Sequence, residues 1–406
     1  MKIVVGKRLL YPYISIHNTI QLLYSIRYIT TYKYGQQPLT KQNTDRFSIS
    51  TYNVLLQRFA IQENFPLSYT EHLRDDVRQQ SLITVLRRLN TDIICLQECD
   101  VLFEQQRNEL NTLSNYLYSN GYNCIQQTHK TKYAKVPHCN VIAYKINKFD
   151  HCIEEHSRSR TMYVTLQCHK SQSLLYIGNV HLHSGTDEVQ IRYWEIRSLL
   201  NHMSHSIHAH RQQAKYRGYT QYIVLAGDLN SNQYYDNAVT HYITQGNIKQ
   251  QYIDQRTNTQ LNNKYIEHNP LNKLINVYTT EHQYSTYVNT HEFAFTGCYD
   301  CIFISDNITI DSIMINPLKT MKNQKADNYI IPNIYQPSDH LPIAATLVLT
   351  SKSLCIPPTR NHTVLSTTSS RIRKSSKRDT IRDRQHNSIV KSTMNKLKNW
   401  FKIKLK

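Results

Sequence analysis

No stretch of this chain holds 18 consecutive apolar residues, so no membrane-spanning helix is expected. The N-terminal apolar stretches are interrupted by His17, Asn18 and Gln21, which argues against a secretory signal. The nine cysteines are odd in number and scattered, and Cys95 and Cys301 sit inside apolar runs. That pattern excludes a disulfide scaffold and fits buried free thiols in a reducing compartment. Cys298 and Cys301 form one CxxC, with neither a second pair nor His ligands nearby. A core role is therefore expected for them rather than a zinc site. No internal repeat is apparent. The centre of the chain also lacks net charge: residues 45–350 hold 27 basic and 27 acidic side chains.

The whole formal charge of +19 belongs to the two ends. Residues 1–44 contain 6 Lys or Arg and no acid, with recurring Leu, Ile and Tyr. Such a segment is expected to be either an organellar, for example mitochondrial, transit peptide or a basic N-terminal extension of a cytoplasmic protein. Residues 351–406 carry 15 basic side chains against 2 acidic ones. Their first part is rich in Ser, Thr, Lys and Arg and free of aromatics, a composition expected to be disordered. At its end Met394, Leu397, Phe401 and Leu405 recur at helical spacing among lysines. This predicts a short basic amphipathic helix suited to RNA, an anionic membrane or an acidic partner. The chain thus divides into 1–45, a catalytic-sized region 46–350, and the tail 351–406.

The central region alternates short apolar runs with mixed segments. Strands are predicted near residues 47–56, 92–97, 141–144, 162–168, 174–183, 221–226, 299–304 and 343–349. Helical spacing covers residues 75–89, 107–119 (through Leu110, Leu113 and Leu117), 189–208 and 237–245, the last stopped by Gly246. Some strands adjoin with no helix between them. That predicts an α/β architecture of two mixed sheets packed together with helices outside.

Five apolar runs end in polar signatures: STYNVL, DIICLQE, GNVHLH, VLAGDLNS, and YDCIF followed by PSDHLP. Strand ends along one sheet edge are where α/β proteins gather their sites. Glu98 closes a buried run, and a carboxylate there is costly unless paired or metal-bound. Asp228 and Asn230 are two apart, so in extended chain they face one way and can share a phosphoryl group. Gly227 is expected to permit a tight turn before them. His181 and His183 likewise share a face. His340 needs a carboxylate to hold its tautomer. Its neighbour Asp339 points away in extended chain, so Asp300 is the better partner and Asp339 is free for metal or water. Carboxylates, amides and histidines together suit one hard divalent cation and a phosphate ester.

In order and wording these motifs resemble the endonuclease/exonuclease/phosphatase superfamily, the metal-dependent fold of deoxyribonuclease I. The nearest branch contains the carbon-catabolite-repressor deadenylases, nocturnin, the Angel proteins and the 2′-phosphodiesterase. The resemblance covers roughly residues 46–350 and implies a four-layer α/β sandwich. It implies Glu98 as the principal Mg²⁺ ligand (Mn²⁺ being an alternative) and Asp339 near a second metal position. It further implies Asn53 on the phosphate or on metal-bound water, His181 on the scissile phosphate, and Asp228 activating the attacking water. Asn230 would stabilise the transition state, and Asp300 would orient His340, which binds a phosphate oxygen. Phe295 would stack on the base and His183 would assist binding.

Two departures bear on base preference. The Lys-x-Asp-Gly-Cys segment of the deadenylases reads Lys135-Val136-Pro137-His138-Cys139 here, and the proline that follows their His-x-His is Thr186. The leading expectation is a Mg²⁺-dependent 3′–5′ exoribonuclease. The alternatives are a 2′,5′-phosphodiesterase or nucleotide 2′-phosphatase acting on small nucleotides and, from another class, an RNA-tethering module working through the basic tail. No leucine-rich repeat precedes the catalytic region, so docking to a large deadenylase scaffold by that route is not expected.

Overall fold

The computed structural model describes residues 30–33, 45–128, 138–169, 171–185, 188–231, 238–247, 268–278, 285–289, 294–315 and 330–350. Residues 30–33, 288–289, 294–296 and 315 are described by backbone alone. The expected transit segment apart from residues 30–33, the basic tail with its helix, Thr186 and Lys135–Pro137 lie outside the described residues.

The strands are β1 (Thr30–Lys33), β2 (Arg46–Asn53), β3 (Ile93–Asp100), β4 (Tyr122–Gln126), β5 (His138–Lys145), β6 (Phe149–Ser157), β7 (Thr161–Cys168) and β8 (Ser173–His181). They continue with β9 (Thr220–Asp228), β10 (Ile275–Asn276), β11 (Thr286–Asn289), β12 (Ala294–Gly297), β13 (Asp300–Ile304), β14 (Ile308–Ile315) and β15 (Ile343–Leu349). The α-helices are α1 (Asp75–Leu89), α2 (Leu113–Ser119), α3 (Val189–Gln212) and α4 (Ala238–Gln245).

One sheet runs β1-β14-β15-β2-β3-β5-β4, the other β10-β13-β9-β8-β7-β6, and β11-β12 form a separate ribbon. Pairing is antiparallel except for β2–β3 and β8–β9, which are joined through α1 and α3. Parallel neighbours need such crossovers. Period-two alternation sorts each strand between two cores. In β3, Ile93 and Cys95 face the space between the sheets, while Ile94 and Leu96 face α1 and α2. In β9, Val224 and Ala226 face the other sheet, while Ile223 and Leu225 meet α3 and α4. The result is the helix–sheet–sheet–helix sandwich that the strand pattern predicts.

Local chemistry sets the helix limits. Asp75 and Asp76 occupy the first turn of α1 and Arg87 and Arg88 the last, each matching the helix dipole. Asn90, at φ 42°, caps its end in the left-handed region that Asn tolerates. Gly246, at φ 77°, follows α4 as expected. The predicted helix over 107–119 is shorter: a 3₁₀ turn at Gln105–Asn108 precedes α2, and Leu110 is 83% exposed instead of buried. The eight cysteines among the described residues are unpaired, and burial pushes the Cys298 thiol up to about 12. No helix among the described residues is long and apolar enough to cross a membrane.

Candidate active site

Three adjacent strands of the second sheet end in register. His181 of β8 sits opposite Asp228 of β9, and Asp228 sits opposite Asp300 of β13. Side chains at matching positions of neighbouring strands point to the same face, so this register alone lines up an imidazole and two carboxylates. Gly227 makes the row possible in a way the sequence did not suggest. It lies within β9 at φ 137°, not in a turn, and a Cβ there would sit 2.1 Å from the Val180 carbonyl oxygen. Only a glycine lets β8 and β9 approach this closely.

The first sheet contributes by leaving its ladder. β3 carries a register shift between Leu96 and Cys99, and Glu98 adopts φ 57°. A left-handed non-glycine residue costs about 1 kcal/mol or more and is found where a site over-determines it. The shift turns Glu98 toward the second sheet. Its Oε1 accepts from Asn53 Nδ2 at 3.0 Å and its Oε2 from the Leu56 amide at 3.0 Å. The same Asn53 Nδ2 lies 3.1 Å from Asp228 Oδ2, so one amide group spans both carboxylates.

Asp228 Oδ2 is the centre of the arrangement. His340 Nε2 lies 3.7 Å from it and His181 Nε2 3.8 Å, with Glu98 Oε1 3.7 Å from His181. The other Asp228 oxygen accepts from the Asn230 backbone amide at 2.8 Å. The Asn230 side chain donates to the Leu182 carbonyl at 2.8 Å. His340 Nδ1 donates to Asp300 Oδ2 at 2.8 Å and lies 3.1 Å from Thr286 Oγ1. Asp339 projects to neither of these bonds; its carbonyl accepts from the Tyr287 amide.

Burial alone would hold His340 neutral, but Asp300, then Asp228 and Asp339, override it and raise this imidazole well above its usual value. His181 goes the other way. Burial lowers it to about 4, Asp228 opposes too weakly, and Arg160, His340 and His183 reinforce the fall. Burial raises Asp228, with His340 opposing. Burial also raises Asp339 to about 6, opposed by His340 and reinforced by Glu98 and Asp228. The site therefore pairs one cationic with one neutral imidazole amid four carboxylates.

Such crowded acids fit a bound cation. Asp228, Asp300 and His340 have ligand atoms within 4.8 Å of one another, close enough to hold a metal ion. His340 Nδ1 is already committed to Asp300, however, so this trio also reads as a hydrogen-bonded relay. Glu98 is more open than Asp228 or Asp300, with 15% of its side chain exposed against 1% and 0%. Hard divalent ions take carboxylate oxygens and keep water, which matches Glu98 at the opening.

His183 lies just past β8. Its amide donates to Glu195 Oε2 at 2.9 Å, and its Nδ1 accepts from the Gly185 amide at 3.1 Å, so the ring is turned into its own loop. Burial, with Arg160 next, lowers it. Phe295 lies on β12 opposite Val288, described by backbone alone.

Several residues hold this frame without having stood out in the sequence. Ser338 Oγ donates to the Asn53 carbonyl at 2.7 Å and accepts from the His340 amide at 3.1 Å, tying the two loops. Gln97 Nε2 donates to Asn179 Oδ1 at 2.8 Å, a buried bridge between the sheets beneath the site. Both sit inside the motif words, as polar residues interrupting apolar runs, and that was the available signal. Arg78 of α1 is 2% exposed. It donates to the carbonyls of Val54, Leu55 and Pro337 at 2.7, 2.6 and 2.9 Å, and to Gln57 Oε1 at 2.6 Å.

No family model matches the chain. It is 25% identical over 333 residues to a protein of Vairimorpha ceranae named a probable CCR4-Not complex 3′-5′-exoribonuclease subunit Ccr4, over 75% of this chain. The chain spans 64% of that relative's length. It is 23% identical over 343 residues to carbon catabolite repressor protein 4 homolog 4 of Arabidopsis thaliana, covering 74% of this chain and 77% of that one. Among solved structures it superposes on ANGEL2, described as a 2′,3′-cyclic phosphatase and bound to adenosine-2′,3′-vanadate. The TM-score is 0.60 at 18% identity, over 79% of this chain and 98% of that one.

Proposed function

From a chain with the fold of the endonuclease/exonuclease/phosphatase superfamily, near its deadenylase and Angel branch, we propose a Mg²⁺-dependent phosphodiester hydrolase that shortens RNA from the 3′ end. The observation that carries the hydrolytic reading is the in-register row His181–Asp228–Asp300 with His340 bonded to Asp300. The choice of RNA draws on the Vairimorpha ceranae relative, which is named a 3′-5′-exoribonuclease subunit.

A contact in the structure supports each proposed role. Asp228 is held by the Asn230 amide and by Asn53, and its raised affinity for protons makes it a better base for an attacking water. His340 stays cationic through Asp300 and faces the same point, where negative charge grows on a phosphoryl oxygen. His181, neutral beside Asp228, donates a hydrogen bond to the scissile phosphate without adding charge. One hydrogen of the Asn230 amide is used by Leu182, and the other serves the phosphate. A bound Mg²⁺, held by Glu98 with Asp339 near a second position, would polarise the phosphoryl oxygen.

The test is cleavage by the purified chain in Mg²⁺ of poly(A), mixed-sequence RNA, 2′,5′-oligoadenylate and NADPH, with Glu98→Ala as the blank. Shortening of either RNA from its 3′ end is expected. Turnover of the small nucleotides alone would replace this reading with the 2′,5′-phosphodiesterase or 2′-phosphatase one. RNA retention without turnover of any substrate would leave a tethering role for the basic tail. Full activity in Glu98→Ala would overturn the site assignment.

A further inference from the structure

We propose that Arg160, braced by His138, forms a second phosphate-binding position beside the scissile phosphate, so that the substrate carries two phosphates within one nucleotide of each other. The proposal deepens the phosphoester-hydrolase reading above and rests on it. Arg160 stands in the β6–β7 turn, one residue beyond the Thr161–Val180 pair. Its carbonyl accepts from the His181 amide at 2.9 Å and from Asn140 Nδ2 at 3.2 Å. The backbone of this arginine is thus fixed to the end of the catalytic strand.

Its side chain is half-buried and weakly matched. Among the described residues the guanidinium makes one hydrogen bond, a long one of 3.4 Å to His138 Nε2. A guanidinium offers five N–H donors in a planar fork, and the fork fits phosphate oxygens two at a time. Four donors therefore have no hydrogen-bond partner among the described residues. Accepting at Nε2 places the proton of a neutral His138 on its other ring nitrogen. The His138 and His181 ring centroids are 5.1 Å apart, so contacts lead from Arg160 to the catalytic centre without a gap.

Charge supports the same conclusion. Among the described residues, Arg160 is coupled to Glu195, which burial pushes up to about 7, so it is a poor counter-ion near neutrality. After burial, Arg160 is the next cause of the lowered proton affinity of His183. The resting site thus sets a cation beside an imidazole, and an incoming anion relieves that opposition. The acidic wall of Glu98, Asp228, Asp300 and Asp339 repels a second phosphate, so Arg160 marks the side on which one is accepted. It has two possible sources: the neighbouring backbone phosphate of a chain, or a terminal phosphate on a small nucleotide.

Isothermal titration in Mg²⁺ separates them. The probes are three uncleavable adenine dinucleotides with a methylene in the bridge: one with no further phosphate, one with a 5′-phosphate and one with a 3′-phosphate. At least one doubly charged probe should bind about tenfold tighter than the first, or about 1.4 kcal/mol. Arg160→Gln should bring the two within about twofold, while Arg160→Lys, charged but without the fork, keeps part of the gap. A 5′-phosphate effect identifies the chain, and a 3′-phosphate effect identifies the terminus. Equal binding of all three by the wild type overturns the proposal, as does an undiminished gap in Arg160→Gln. Should Arg160→Gln not fold, an undiminished gap in Arg160→Lys counts equally against it. Failure of the hydrolase reading appears separately, as absent Mg²⁺-dependent cleavage of the natural dinucleotides, and leaves the binding gap measurable.

Discussion

The two sheets reach the same point by opposite means. The second sheet delivers His181, Asp228 and Asp300 through unbroken register across three strands. The first delivers Asn53 at the end of its regular pairing with β3, but delivers Glu98 by breaking the register of β3 with β5, with Glu98 in the left-handed region and Leu55 at φ 56°. Regular pairing is inexpensive and sets side chains in rows. Irregular backbone is costly but aims one side chain where no row would put it. The proposed proton relay draws on the first means and the proposed metal ligand on the second.

The comparison breaks most severely at Gly227. Gly227→Ala forces a Cβ against the Val180 carbonyl and should cost roughly 4 kcal/mol or more, read as a fall in the denaturant midpoint or loss of soluble protein. A stable, active Gly227→Ala would show that close strand approach does not build the row. On the irregular side, Glu98→Gln should lower Mg²⁺-dependent turnover by about a thousandfold. Its melting temperature should hold, because less negative charge then faces Asp339. A matched loss of stability and activity would make Glu98 structural.

Asp300→Asn tests the relay within the regular row. His340 is cationic at neutral pH because its raised proton affinity keeps it charged until pH climbs past the folded value. Without the Asp300 carboxylate that limit moves down. Turnover should drop about a hundredfold, with the alkaline limb of the pH–rate profile shifted to lower pH. An unmoved limb would detach His340 from catalysis. The smallest effect belongs to Glu195, behind His183. Its folded proton affinity is raised to about 7, so the folded state binds the extra proton, and stability falls as pH rises from the ordinary carboxylate range to about 7. Glu195→Gln should flatten that slope by on the order of 1 kcal/mol, seen by comparing melts at pH 5 and 7.5. An identical slope in wild type and variant would put the titrating group elsewhere.

This contrast also explains what the sequence disclosed. Apolar runs ending in GDLNS and HLH were legible because regular strands announce themselves by hydrophobicity, and the row follows from register. The prediction for β3 stopped at Gln97, whereas the strand runs to Asp100 through its shift. A left-handed Glu98 has no local signature, since tertiary partners impose it. The edge strand β6 (FDHCIEEHS) was not predicted: its half-buried pattern alternates too weakly to register. Arg78 read as a polar helix residue in DDVRQQ, because the carbonyls it serves come from other segments. Arg160, within SRSR, carried no signal at all; only the fold sets it beside His181.

Arg78 also has a consequence for timing. Two of its acceptors, Val54 and Leu55, precede it by 24 and 23 residues, but the third, Pro337, follows it by 259. While the chain is being made, two of these three carbonyls are present before Arg78 and the third follows tens of seconds later at about 10 residues per second. Ser338 and His340 arrive with Pro337. A nascent chain emerging beside its own messenger therefore holds Glu98, His181 and Asp228 without the imidazole that completes them. The proposed active site is therefore complete only once almost the whole central region has been synthesised.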